Sequence, residues 1–243
     1  MPVRIIETSK FDLNRPLLIE GFPGIGLVGT IAASYLVEKF DMELLGYIAS
    51  ERFPPIAAVH EYQPLHPARI YKSKKLNLIV LFSEFIVPLS TVHELAHEIL
   101  AWSKRRGVRE IISVGGIGIR GEQDEVFGIA TNRELLRRLE AAGVRLIKEG
   151  ATTGVSGVLM AEAAIQGFPA ISLLAEAKPE YLDPRGAAMV LDAVRDITGL
   201  PIETKELIAE ARNIETKIKE ILEHAKTAHQ KYRETGELGP MYG

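Results

Sequence analysis

Cysteine is absent from all 243 residues. That excludes disulfides, thiolate metal sites and cysteine nucleophiles together. An excess of one charge is also missing: 29 Lys and Arg against 32 Asp and Glu leave a net charge of −3. Such a balance gives no electrostatic reason to expect nucleic acid or an anionic membrane as partner. No apolar run is long enough to span a bilayer, and the N-terminus lacks a signal peptide's apolar core, so a cytoplasmic protein is expected. No G-x-x-x-x-G-K-[ST] segment supports a phosphate-loop ATPase. Tryptophan occurs once, at Trp102, where core packing is its expected role.

What is present has the texture of an α/β protein. Hydrophobic residues make up 47% of the chain and charged residues 25%, enough for a full core. Up to about Leu200, short apolar runs alternate with glycine turns and amphipathic stretches. Strands are predicted at 16–20, 44–50, 76–82, 109–114, 144–148 and 170–174. Helices are predicted at 27–39, 91–105, 132–142 and 155–166, with another opening at Asp183 or Pro184 and running towards Thr198. The expected organisation is an α/β domain over 1–200, an extended helix over 201–235 and a flexible tail over 236–243.

Beyond Gly199-Leu200-Pro201 no glycine or proline interrupts the chain between Glu203 and Glu234. At ~1.5 Å rise per residue this helix would run roughly 45–50 Å, too long for a domain of this size to cover. Leu207, Ala211, Ile214, Ile218, Ile221, Ala225, Ala228 and Tyr232 fall at alternating spacings of four and three, a heptad seam. The seam suits packing between subunits, or packing of the helix on its own domain. Gly236 and Gly239-Pro240 then release a tail of ~20–25 Å reach that presents Met241, Tyr242 and Gly243. A hydrophobic residue, a penultimate tyrosine and a free carboxylate form a handle that a partner's lysine or backbone N–H groups can capture.

Two motifs invite a catalytic reading. His93-Glu94-Leu95-Ala96-His97 matches H-E-x-x-H, which on a helix would hold zinc with Glu94 as general base. Against it, Thr91 and Glu94 form a predicted capping box. The apolar face of Val92, Leu95, Ala96, Ile99 and Trp102 leaves both histidines on the flank, and no downstream segment supplies an evident third ligand. Gly24-Ile25-Gly26-Leu27-Val28-Gly29 matches G-x-G-x-x-G, and Glu51 lies near the distance expected of a ribose ligand. Gly21-Phe22-Pro23 nevertheless intervenes where the dinucleotide turn should start, so a structural loop competes with an anion site. Further glycine segments recur at 115–121 and 150–157. Loops at strand carboxyl ends cluster, so Gly24, Gly26, Gly29, Gly116, Gly118, Thr153, Gly154 and Ser156 are expected to line one crevice. No catalytic constellation, metal set or cofactor motif is legible there.

Three runs in order resemble one family. Gly21-Phe22-Pro23-Gly24-Ile25-Gly26-Leu27-Val28-Gly29 resembles the opening signature of the proteasome assembly chaperone family, archaeal branch. The second signature is resembled by Thr153 to Leu159 with Glu162 and Pro169 to Glu176, and the third by Tyr181 to Ala188 with Val190 to Ala193. The resemblance implies a three-layer α/β/α sandwich of the phosphorylase/hydrolase-like kind, with a mostly parallel or mixed sheet, used as a non-catalytic scaffold without cofactor. It also implies a homo-oligomer, tetrameric or pentameric, whose partner is the proteasome α-subunit ring. Met241, Tyr242 and Gly243 match the hydrophobic–tyrosine–any-residue tail by which such proteins dock. Two other classes stay open on the residues alone: a nucleotide-binding protein or hydrolase using the glycine crevice, and an adaptor for a different partner.

Overall fold

The computed structural model describes residues 2–118, 125–177 and 182–209. Eleven strands and six α-helices alternate through them. The strands are β1 (Arg4–Glu7), β2 (Leu17–Gly21), β3 (Glu43–Ala49), β4 (Ala58–His60), β5 (Gln63–Leu65), β6 (Ala68–Ser73), β7 (Leu78–Ser83), β8 (Glu110–Ile117), β9 (Val126–Ala130), β10 (Arg145–Leu146) and β11 (Ala170–Glu176). The helices are α1 (Val28–Lys39), α2 (Val92–Arg105), α3 (Arg133–Ala141), α4 (Gly154–Ile165), α5 (Pro184–Thr198) and α6 (Lys205–Ala209).

Nine strands form one mixed sheet in the order β1-β3-β6-β7-β2-β8-β11-β9-β10. Its centre, β7-β2-β8-β11, is parallel. Antiparallel pairs flank it, β6 on β7 at one side and β9 on β11 at the other. The central strands are buried on both faces and read as nearly unbroken apolar runs, as parallel strands between helical layers must. Alternation then sorts their side chains. Leu17, Ile19, Ile112, Val114, Ile171 and Leu173 join the core beneath α1, α3 and α5. Leu18, Ile111 and Ala170 join the core beneath α2 and α4. The architecture is the expected three-layer α/β/α sandwich with a mixed sheet.

Local chemistry fixes several helix ends as anticipated. Asp183 accepts a hydrogen bond from the Gly186 amide at 2.8 Å, and Pro184 follows at the first helical position. Asn132 caps α3 through the Leu135 amide at 2.9 Å. Gly199, at φ 73°, closes α5 in the left-handed conformation. The start of α2 departs from expectation. The Thr91 hydroxyl donates backwards to the Pro88 carbonyl at 2.8 Å and makes no cap bond, while Glu94 pairs with Arg52. A preceding turn of 3₁₀-helix leaves Thr91 in near-helical geometry, which removes the extended backbone that a capping box needs.

The packed body continues beyond Leu200. Ile202, Thr204 and Leu207 are buried, and Ile202 and Leu207 extend the core under α1 and α5. Leu207, the first residue of the predicted seam, is fully buried against its own domain and offers no surface to another subunit. The stripe begins by packing at home because Ile202 and Leu207 both meet apolar side chains already exposed by α1 and α5. Ala211, Ile214, Ile218, Ile221 and Ala225, and the tail residues Met241, Tyr242 and Gly243, lie outside the described residues.

Candidate functional site

The glycine segments do come together. Helix α1 starts at the carboxyl end of β2 and crosses back over the sheet so closely that no side chain fits between. A Cβ on Gly21 would sit 2.2 Å from the Gly29 carbonyl oxygen, and one on Gly29 would sit 2.4 Å from that of Val114. A Cβ on Gly116 would strike the Ile25 carbonyl oxygen at 2.2 Å, so the loops after β2 and β8 are in backbone contact. Gly26, at φ +63°, is hemmed in by Ala177 and Asp183, and its carbonyl accepts the Asp183 amide at 2.8 Å. The glycines thus remove side-chain bulk where backbones meet. Gly24 and Gly154 face open space, and Gly118 is exposed.

The third segment enters through α4. Thr153 occupies its N-cap position without a side-chain cap bond. One turn on, the Ser156 hydroxyl donates to both carboxyl oxygens of Glu20 at 3.2 Å. Glu20 is completely buried near the end of β2, on the face covered by α2 and α4. Its Oε1 also accepts the Phe22 amide at 3.1 Å, which ties the start of the first glycine loop to the strand. Ser113 of β8 is its neighbour in register, and Ser172 of β11 is the neighbour of Ser113. Burial raises the Glu20 carboxyl above the ordinary glutamate range, opposed more weakly by the Ser113 hydroxyl, the Phe22 amide and the Ser156 hydroxyl. No charged side chain is among the groups acting on it in the described residues. The glycine segments therefore converge around a buried acid that the sequence reading passed over. One signal was available: Glu20 is the only charged residue in an otherwise apolar strand, immediately before the glycine loop.

This geometry does not suit a dinucleotide. In that fold the acidic ribose ligand ends the strand next to the glycine loop. Here β6 and β7 separate β3 from β2, which puts Glu51 about three strand spacings away, roughly 14 Å. The H-E-x-x-H segment has other partners as well. His97 Nε2 lies 3.0 Å from Glu162 Oε1 on α4, so a second helix does carry a glutamate beside it. Glu94 is engaged by Arg52, however, and no three His, Asp or Glu side chains among the described residues converge to hold a metal. Trp102 packs in the core, as expected, and donates from Nε1 to Glu7 at 2.8 Å.

Comparison with known proteins gives this arrangement a lineage. The model of the PAC2 family matches residues 18–222, which takes in every glycine segment and Glu20. An uncharacterized protein of Methanocaldococcus jannaschii, MJ0106, is 33% identical over 241 residues, 99% of this chain and 98% of its own length. Among solved structures, Pyrococcus furiosus PbaA, described as an archaeal homolog of proteasome-assembly chaperone, superposes with a TM-score of 0.84 at 34% identity. It covers 94% of this chain and 100% of the other. Pyrococcus furiosus PbaB, described as an archaeal proteasome activator, gives a TM-score of 0.77 at 28% identity, over 90% of this chain and 98% of the other. A full-length match in both sequence and fold leaves one conclusion: the chain belongs to the PAC2 family, with archaeal homologues of proteasome-assembly chaperones among its relatives.

Proposed function

We propose that this protein is an ATP-independent proteasome assembly chaperone homologue, a homo-oligomeric scaffold that docks on the proteasome α-subunit ring through Met241, Tyr242 and Gly243. The observation that carries the reading is the likeness to PbaA over 94% of this chain and all of the other, at 34% identity. The fold around the glycine segments supports a scaffold over an enzyme, because Gly21, Gly26, Gly29 and Gly116 are used up in backbone packing. Lys39 pairs with Glu206 at the C-terminal end of α1, so α6 sits at the end of that helix away from the glycine loops.

Binding through short tails gains from multiplicity. Burying a tyrosine-sized side chain contributes ~1.5–3 kcal/mol before the entropy of ordering the tail is subtracted. Several tails on one particle, facing equivalent pockets, gain ~10²–10⁴ in avidity where the geometry permits. Native mass spectrometry of the full chain, alone and with purified proteasome α subunits, tests the reading. A multiple of the 26.8 kDa subunit and a heavier joint complex are expected. A monomer that forms no complex with α subunits contradicts it.

A further inference from the structure

Ser113 and Ser172 are fully buried on adjacent central strands; the Ser172 hydroxyl oxygen has no hydrogen-bond partner, and the Ser113 hydroxyl has none beyond the Glu20 carboxyl it faces. Leaving a buried hydroxyl such as that of Ser172 unpaired costs about 1–3 kcal/mol, so native proteins rarely do so. The two serines are partners in register and extend the row begun by Glu20. All three share the sheet face on which Leu18, Ile111 and Ala170 pack against α2 and α4. On that face Ala170 precedes Ser172 and Gly115 follows Ser113, while Ile111 and Leu174 stand at their other sides. Above the row lies the first turn of α4, where Ser156 reaches down to Glu20 and Gly157 is pressed against the Thr152 carbonyl.

Adjacent strands lie about 4.8 Å apart. One water about 2.8 Å from each of two hydroxyl oxygens spans that separation. A buried water needs two to four polar partners and a place roomy enough to sit. Ser113, Ser172 and the uncommitted hydrogen-bonding capacity of Glu20 supply the partners, and Ala170 and Gly115 keep side-chain bulk low on one side of each serine. We propose that Glu20, Ser113 and Ser172 enclose an internal water-binding site that joins the strands carrying the first two glycine segments to the start of α4. The water completes a hydrogen-bonded chain from Ser172 on β11 through Ser113 on β8 to Glu20 on β2. Glu20 passes it on to Ser156 and to the Phe22 amide. The site explains why a carboxyl and two serines stand side by side among the apolar residues of this sheet face, and it is independent of what the C-terminal tail binds.

A crystal structure of the full chain that resolves ordered solvent decides the matter. The expected result is a water bonded to both Ser113 Oγ and Ser172 Oγ. A dry site, with both hydroxyls turned onto backbone carbonyls, overturns the proposal whatever the behaviour of any variant. Hydrogen exchange on the Ser113→Ala/Ser172→Ala double variant supplies the second arm. Amides in 21–29 and 150–157 are expected to exchange at least about fivefold faster than in the wild type. Unchanged exchange in both segments of a folded double variant removes the linking role.

Discussion

The Tyr35 hydroxyl donates to the Glu203 carbonyl at 2.5 Å, joining α1 to the segment that leads into α6. The ring is almost wholly buried, and the Lys39–Glu206 pair lies one turn further along the same helix. Tyr35→Phe keeps the packing and removes the bond, leaving a carbonyl unpaired. The expected cost is about 1 kcal/mol, a lowering of Tm by roughly 2–4 °C for a chain of this size. Differential scanning calorimetry checks it, and hydrogen exchange should show the loosening concentrated around 202–209.

Leu207 separates self-packing from subunit packing. It is fully buried in the core beneath α1 and α5, so Leu207→Ala leaves a cavity in the monomer and should cost about 2–5 kcal/mol. Chemical denaturation gives the magnitude. Native mass should be unchanged under stabilising conditions; a dissociated particle with undiminished subunit stability would place Leu207 in an intersubunit seam.

Glu20 makes stability depend on pH in a direction opposite to most carboxylates. Its folded-state carboxyl is raised above the ordinary value of 4.5, so the folded chain binds the proton more tightly than the unfolded chain. Its contribution is fully present below pH 4.5 and is lost as pH rises from there through the folded value. Glu20→Gln keeps the shape and never ionises. The variant's Tm relative to wild type should therefore climb as pH increases from about 4.5, measured by thermal melts across that range. A difference that stays flat with pH, or shrinks, contradicts the assignment.

Arg69 and Glu84 form a buried pair with the opposite sign. Arg69 Nη2 lies 2.9 Å from Glu84 Oε1, and His60 of the β4–β5 hairpin lies 2.9 Å from the same oxygen. Burial pushes the Glu84 carboxyl up, but the His60 hydrogen bond and the Arg69 charge outweigh it and hold it below 4.5. The pair's contribution is present above that value and fades as pH falls through the folded one. Arg69→Ala would leave a buried charge facing only a half-exposed histidine, at a cost of about 3–5 kcal/mol. Urea unfolding at neutral pH measures it, and Arg69→Met combined with Glu84→Gln should recover much of the loss.

Much of this architecture was legible because periodicity and punctuation agreed. The helices of the body appear within a few residues of their predicted bounds, with Asp183, Pro184 and Gly199 in their expected roles. The central strands also appear, since apolar runs between glycine turns leave little alternative. What escaped notice were β1, β4, β5, β6 and β9. Strand β6 carries Arg69 and Lys72, which look like surface residues. Tertiary partners bury them: Glu84 for the arginine, Asp12 and the Lys10 carbonyl for the lysine. The clustering of the glycine segments was foreseen from strand polarity, but Glu20 was hidden inside a strand that read as simply hydrophobic. Glu162 beside His97 could not be seen either, because α2 and α4 meet only in the folded chain.

Attachment of the tail to the proteasome α ring is the claim on which the functional account turns. Co-sedimentation of the full chain with purified α-ring particles, compared with a chain lacking Met241, Tyr242 and Gly243, tests it most directly. The account predicts that the shortened chain keeps its native mass and no longer sediments with the ring. Equal sedimentation of the two chains would contradict it.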